Sequence, residues 1–382
     1  MMNELSELRR QIDDIDGQLI DLIIRRLDIM GNVAAVKRAQ GKGTSDPARE
    51  RDILNRLMDR AGPEYETEVK MIFTNLFNIS KAKQRLARGG TSPLLEAICK
   101  ANDEMRDFPK RSMVACPGTE GSYSQQATTR MFEVPTILYF NSFDKVFEAV
   151  ETGLCPYGIL PIENSSAGSV IAVYDAMVKH EFHIVKSLRL KVNHVLLANR
   201  GAELDGIREI SSHQQALSQC GGFLRSRPGM KIVPATNTAT AAKELAASGR
   251  LDMAVIASRE CADLYGLEIL AENIADTKLN YTRFICISKN LEIFRDASKL
   301  SIMLILPHRP GSLNGLLSRF SAIGVNLTKL ESRPIPGMDF EFLFTFDFEA
   351  SPRDEKVLQL LSELSTDPDI AHFTFLGAYG EN

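Results

Sequence analysis

Arg26 stands where an apolar side chain is expected. It falls within Leu5, Leu8, Ile12, Ile15, Leu19, Leu22, Arg26, Ile29, Val33 and Val36, a 3-4 spacing that marks a long helix packed along a partner helix. An unpaired guanidinium buried in such a seam is costly, so an anion is expected to meet it there. Lys37 follows Arg26 by eleven residues, about 20° from in line on a 3.6-residue helix, so the two cations share a face. Arg9 lies seventeen residues before Arg26, roughly 100° off that line, and fits better in a symmetry-related pocket across a helix pair. Asp46 and Pro47 start a second helix, an N-cap acceptor followed by proline at the first helical position, with Arg49 and Glu50 on its first turns. In a third helix the stripe Ile72 and Leu76 continues at four-residue spacing into Ser80 and Gln84. A cluster of cations and hydrogen-bond donors suits a dianion whose oxygen gains charge during reaction.

Four segments in the middle of the chain are polar where a strand meets its loop. They are Gly121-Ser122-Tyr123-Ser124, Pro161-Ile162-Glu163-Asn164-Ser165-Ser166-Ala167-Gly168, Ser212-His213-Gln214-Gln215 through Gln219, and Tyr281-Thr282-Arg283-Phe284. Ligands of open α/β sheets bind at such strand ends, where small hydroxyls and glycines let backbone N–H groups surround an anion. The Thr282 hydroxyl is neutral, so it is expected to donate within a preorganised network rather than act as a free acid. Further on, Pro310-Gly311-Ser312-Leu313-Asn314 leads into a helix and Glu331-Ser332-Arg333-Pro334 closes a strand. Gly311 has no Cβ, so backbone and ligand can approach closely there.

Three kinds of scaffold must position these groups. A chain of 382 residues suggests two or three domains. Net charge is −4 with dispersed basic residues, which argues against a nucleic-acid partner. No apolar run approaches the roughly 18–20 residues that span a bilayer, so no membrane partner is expected. Met1-Met2-Asn3-Glu4 does not resemble a signal peptide. The six cysteines are scattered, without a Cys-x-x-Cys pair, which fits a reducing cytoplasm better than a disulfide framework or zinc site. His180 and His183 have no third ligand nearby in sequence, so no metal is expected. No phosphate-binding glycine motif is present, so a nucleotide has no support.

Residues 1–88 read as all helix, with breaks at Gly41-Lys42-Gly43 and Gly62-Pro63, and 89–110 as a linker that opens on Gly89-Gly90-Thr91-Ser92-Pro93. Residues 111–289 alternate short apolar strands such as Met113–Cys116, Tyr157–Leu160, His194–Ala198 and Met253–Ala257 with helices, an α/β block of two lobes. Residues 298–382 read as βαββαβ, closing on a strand Phe373–Ala378. Phe340, Phe342, Phe344, Phe346 and Phe348 alternate there as in a strand with one buried face.

The first block resembles the all-helical chorismate mutase domain, with Arg9, Arg26, Lys37, Asp46, Arg49, Glu50, Ser80 and Gln84 falling in order on its functional positions. The resemblance implies that Arg26 and Arg9 of a partner chain hold two substrate carboxylates. Lys37 and Gln84 would donate to the ether oxygen, and Glu50 and the Asp46 backbone would meet the ring hydroxyl. Arg49 and Ser80 would complete the pocket. Such a rearrangement needs no nucleophile, only a held conformer and a stabilised oxygen.

The second block resembles prephenate dehydratase, on Thr282-Arg283-Phe284 and Glu163-Asn164-Ser165-Ser166. The resemblance implies that Thr282 assists the leaving hydroxyl, that Arg283 helps fix the site, and that Glu163, Asn164, Ser212 and Gln219 line a cleft that Ser122 and Ser165 border. The third block resembles an ACT domain, which implies a phenylalanine site built from Gly311, Ser312, Leu313 and Asn314 with Glu331, Ser332, Arg333 and Pro334 across a domain pair. Ser312 and Asn314 depart from the commoner Gly-Ala-Leu-Val form.

The order of blocks thus resembles the bifunctional mutase–dehydratase family. It implies a multidomain chain (all-α, two-lobed α/β, then α+β) that makes phenylpyruvate from chorismate through prephenate without a cofactor. It also implies feedback inhibition by phenylalanine and at least a dimer. The alternatives are a preference for arogenate and a non-catalytic amino-acid-responsive binding protein.

Overall fold

The computed structural model describes residues 2–40, 46–87, 92–335 and 341–382. Helix α1 (Met2–Ala39) is followed by α2 (Pro47–Ala61) and α3 (Glu66–Ala87). At 1.5 Å per residue α1 is about 57 Å long, longer than anything in this chain can cover. Leu5, Leu8, Ile12, Ile15, Leu19 and Leu22 are between 49% and 61% exposed. From Arg26 onward, Arg26, Met30, Val33 and Lys37 become half-buried. This 4-3-4 stripe is the part of α1 nearest α3. The glycine breaks at 41–43 and 89–91 lie outside the described residues.

The helix α4 (Pro93–Asp103) is capped by Ser92, whose side chain accepts from Leu95 N. Sequence alone reads this segment as a connection, yet Ile98 and Ala101 belong to the same core as Leu300, Leu304 and Phe346. Asn102 Nδ2 donates to Pro352 O at 2.8 Å. The connection is therefore part of the C-terminal packing.

The remaining strands are β1 (Arg111–Pro117), β2 (Val134–Phe140), β3 (Tyr157–Asn164), β4 (Gly168–Ser169), β5 (His183–Lys191), β6 (Val195–Ala198), β7 (Glu209–His213), β8 (Lys231–Ala235), β9 (Met253–Ala257), β10 (Glu268–Ala271), β11 (Tyr281–Ser288), β12 (Lys299–Ile305), β13 (Asn326–Pro334), β14 (Phe342–Glu349) and β15 (Ala371–Glu381). One lobe of the α/β block is a five-stranded sheet in the order β10-β6-β9-β7-β8. The other lobe does not end at its own border. Its sheet continues into the C-terminal unit in the order β13-β14-β12-β15-β5-β11-β3-β1-β2. The join is parallel pairing of β15 with β5, Gly380 opposite Lys186 and Glu381 opposite Ser187.

The C-terminal unit is β12, helix Ser312–Ala322, β13, β14, helix Glu355–Ser365 and β15, a βαββαβ order. Two expectations fail here. The phenylalanine strand is not buried on one face only, because Leu343, Thr345 and Asp347 on its other face are buried as well. That second face packs toward the α/β block, and Met303, Leu343 and Tyr379 share one core with Leu160, Ile162 and Ile285. Phe340 lies outside the described residues. The last strand also runs on to Glu381, well beyond the Ala378 expected from sequence, because its end pairs with β5.

Candidate active sites

On the helical side, α1 and α3 bring part of the expected cage together. Arg26 Nη1 donates to Ser80 Oγ at 2.6 Å, and Ser80 Oγ in turn donates to Leu76 O at 2.6 Å. The guanidinium also lies 5.6 Å from the centre of the Phe77 ring. Burial lowers the Arg26 pKa, but a guanidinium stays charged, so the pocket keeps its cation. Gln84 is buried, with Nε2 3.4 Å from Met30 Sδ, and among the described residues its Oε1 has no partner. Such orphaned polar atoms are rare in buried positions and point to a missing partner. Asp46 caps α2, accepting from Arg49 N at 3.1 Å. Arg49 is exposed.

Arg9, which the sequence reading gives to a partner chain's pocket, is exposed on the uncovered stretch of α1. One feature departs from that reading. Glu50 is paired with Lys81, a residue the four-residue stripe passes over, at 3.2 Å. This pair lies on a cavity of about 220 Å³ shared with Phe77 of α3 and with Arg309, Ser312 and Arg319 of the C-terminal unit.

In the α/β block a single chain joins Thr282, Asn164 and Gln219 in one hydrogen-bonded network. Thr282 and Asn164 face each other across β11 and β3. Asn164 Nδ2 donates to Thr282 Oγ1 at 2.9 Å and to Asn280 Oδ1 at 2.8 Å. Asn164 Oδ1 accepts from the backbone N–H groups of Ser166 and Ala167, each at 3.0 Å, an Asx-type turn. It also accepts from Gln219 Nε2 at 3.2 Å. Gln219 Oε1 accepts from Asn280 Nδ2 and from His194 Nε2, both at 3.0 Å. The Tyr123 hydroxyl lies 3.3 Å from His194 Nδ1 and donates to Asn193 O. Burial lowers the His194 pKa, against the opposing hydrogen bond with Gln219, so the imidazole is held neutral.

The direction of these bonds matters. The amide of Asn164 fills an acceptor position on Thr282 Oγ1. Among the described residues no group accepts the hydrogen of that hydroxyl. The hydroxyl hydrogen of Thr282 is thus left available to donate.

Glu163 and Arg283 do not join it. Successive strand residues point to opposite faces. Thr282 shares its face with Phe284 and Cys286, whereas Arg283 shares the other with Ile285 and Ile287. On that face Arg283 Nη1 meets Asp347 Oδ2 at 2.5 Å, Nη2 donates to the Tyr379 hydroxyl at 2.7 Å, and Nε lies 3.1 Å from Ser187 Oγ and 3.2 Å from Glu381 Oε2. These partners occupy the guanidinium and leave it out of reach of a ligand in the cleft. Glu163 pairs with Lys329 Nζ at 3.0 Å, on the same side. The cause is a bulge: Arg283 is opposite Glu163 but Phe284 is opposite Pro161, leaving Ile162 as the extra residue. That one residue turns Glu163 away and brings Asn164 in.

Ser212 is also not in the cleft, because it is fully buried and donates to Ile256 O at 2.5 Å. Ser122 caps the helix Tyr123–Met131, accepting from Gln125 N at 3.2 Å. Ser165 donates to Leu279 O at 3.1 Å and accepts from Tyr281 N at 2.9 Å, which fixes the loop. Sequence reasoning missed Asn280 and His194. Asn280 directly precedes Tyr281-Thr282-Arg283, and that adjacency was the available signal.

The two halves of the expected effector motif face different neighbours. Gly311 has φ +85° and begins a helix with no side-chain cap bond. Ser312 Oγ is buried without a partner, Leu313 packs on the C-terminal core, and Asn314 is exposed. Glu331 accepts from Ser169 Oγ at 2.8 Å, and Arg333 pairs with Asp175 at 3.1 Å, while Ser332 and Pro334 are exposed. Within one chain the second half is thus tied to the α/β block, away from the cavity that Gly311 and Ser312 line.

Residues 8–85 match the family chorismate mutase type II, and residues 114–292 match prephenate dehydratase. The bifunctional chorismate mutase/prephenate dehydratase of Enterobacter agglomerans is 30% identical over 95% of this chain and 93% of its own length. The chain belongs to this bifunctional family. An arogenate dehydratase/prephenate dehydratase of Arabidopsis thaliana is 38% identical over 72% of this chain and 76% of its own. The solved prephenate dehydratase of Arthrobacter aurescens in complex with L-Phe aligns with a TM-score of 0.64 at 29% identity, over 70% of this chain and 90% of that one. Among the described residues no group of His, Cys, Asp and Glu could hold a metal ion, and no helix is long and apolar enough to cross a membrane.

Proposed function

We propose that the chain performs two consecutive steps of phenylalanine biosynthesis, chorismate to prephenate at the helical site and prephenate to phenylpyruvate at the cleft. The observation that carries the second step is the hydroxyl of Thr282, held by Asn164 with its hydrogen left to donate. In that step the ring carboxylate leaves as carbon dioxide. Its bonding electrons enter the ring as the opposite C–O bond breaks, and the departing hydroxide takes up a proton to become water. The donor hydrogen bond from Thr282 offsets charge growing on that oxygen, and the neutral Asn164–Gln219–Asn280–His194 network keeps the donor in place. Arg26, Ser80, Lys37 and Gln84 hold chorismate in its reactive conformer and meet the ether oxygen, without a cofactor.

Arg9 reaches a pocket only from a second copy of the chain. The exposed apolar seam of α1 supports a dimer in the helical block, residues 1–88. Residues 111–289 form the dehydratase and 298–382 an ACT-type regulatory unit, in which phenylalanine binds across paired units at Gly311–Asn314 and Glu331–Pro334 and lowers dehydratase turnover. The enzyme works in the cytoplasm, a reading that its six unpaired cysteines support.

Purified chain given chorismate alone should yield phenylpyruvate. Accumulation of prephenate would refute the second step, and unchanged chorismate the first. The Arabidopsis relative named for both substrates favours a second reading for the cleft, in which arogenate is also accepted. A comparison of kcat/KM for the two substrates decides it.

A further inference from the structure

The Glu50–Lys81 pair is the one part of the mutase region that the family resemblance does not account for. Lys81 Nζ lies 3.2 Å from Glu50 Oε2, with the two side chains only 13% and 27% exposed. Lys81 follows Ser80, which holds Arg26, and precedes Gln84 by less than one helical turn on α3. Both members of the pair share the cavity wall with Phe77, the ring on which the Arg26 guanidinium rests. Among the described residues no other cation lies within ion-pair distance of Glu50.

A carboxylate in this position poses a problem for the reaction. Resting on the mutase reading above, the substrate carries two carboxylates, and Glu50 is to accept a hydrogen bond from its ring hydroxyl. An uncompensated negative charge in a weakly solvated pocket repels the dianion it must help to bind. The ammonium of Lys81 cancels that charge through one oxygen, Oε2, and leaves Oε1 to accept from the substrate.

We propose that Lys81 is a further positioning residue of the mutase, orienting Glu50 and neutralising it against the substrate dianion. Such repulsion acts on bound substrate and transition state alike, so unmasking it by loss of Lys81 raises KM more than it lowers kcat. The test uses the full chain and initial rates of prephenate formation. Lys81→Met should raise KM for chorismate about ten-fold or more with kcat changed less than about three-fold, and Lys81→Arg should bring KM back to within about three-fold of the parent. The cycle with Glu50→Gln separates charge from packing. Once Glu50 is neutral, adding Lys81→Met should raise KM little further, because the two effects are coupled rather than additive.

Dehydration of added prephenate, measured on the same samples, reports an intact chain. If Lys81→Met fails to fold, Lys81→Gln takes its place. A parental KM in the folded variant, or fully additive effects in the cycle, overturns the role of Lys81. A parent chain that does not turn over chorismate overturns the mutase reading instead.

Discussion

The two candidate sites differ in how much of each one chain supplies. In the α/β block one chain joins Asn164, Gln219, Asn280, His194 and Thr282, all buried or half-buried, in one hydrogen-bonded network. The helical site is half-built. Arg26 and Gln84 are placed, but Gln84 Oε1 is unmet, Arg9 is exposed, and the first five turns of α1 offer leucines and isoleucines to solvent. A site closed within one chain depends on that chain's own strands, whereas a site shared between chains depends on association.

The sharpest separation comes from Thr282→Val, which keeps the shape and removes the donor. Dehydratase kcat should fall about 10²–10³-fold, the scale of a lost oxyanion donor, while mutase turnover in the same sample stays at the parental rate. Equal losses in both assays would erase the distinction. Next in size is Ile15→Asp, which puts a charge on the seam. Mutase activity should then drop at least about ten-fold on dilution, with prephenate dehydration nearly unchanged. A mutase that survives dilution would mean that the helical site is complete in one chain.

A third change tests the border between the cleft and the C-terminal unit. Thr282 and Arg283 are neighbours on β11, yet Arg283 is gripped by Asp347 from β14. Asp347→Asn should leave basal dehydratase turnover within about two-fold and weaken inhibition by phenylalanine about five-fold or more, the scale of one allosteric coupling. Inhibition curves that superimpose on the parent's would rule out this route.

The smallest effect concerns pH. Burial lowers the His194 pKa, so the unfolded chain takes up a proton before the folded one does as pH falls. The stability tied to neutral His194 is complete above its unfolded pKa and is lost as pH drops from there toward the folded value. Half-buried His183 and His213 act with the same sign. His194→Gln should therefore flatten the fall in unfolding free energy between about pH 7.5 and 5.5 only in part, by no more than about 1.4 kcal/mol per pH unit. A slope equal to the parent's would show that the His194 pKa does not change on folding.

What was legible in the sequence was whatever repeats or caps. The α1 seam, the Asp46-Pro47 start and the βαββαβ order follow from spacing and from single residues with one physical use. What was not legible turns on register. An unbroken alternation along β3 would place Glu163 with Tyr157 and Ile159, on the cleft side. The bulge at Ile162 reverses this, and a bulge is set by its partner strand, far away in sequence. Arg283 was misassigned because its neighbour Thr282 faces the cleft, although adjacent strand residues face opposite ways. Lys81 was missed for a similar reason: its partner, Glu50, sits on another helix. The phenylalanine strand read as half-exposed because the sheet that covers its second face belongs to a different block.

The seating of β15 beside β5 bears on how this chain can be cut or rearranged. Gly380 and Glu381 pair with Lys186 and Ser187, and Asn382 N donates to Ser187 O at 3.1 Å. A fragment ending before Ala371 would leave the Lys186–Ser187 stretch of β5 as a bare edge, with unpaired N–H and C=O groups, the kind of border that recruits a strand from another molecule. The regulatory unit is therefore also the cover for that edge. A version of the dehydratase freed of it would rely on Lys186, Arg189 and Lys191 of β5 to discourage such pairing.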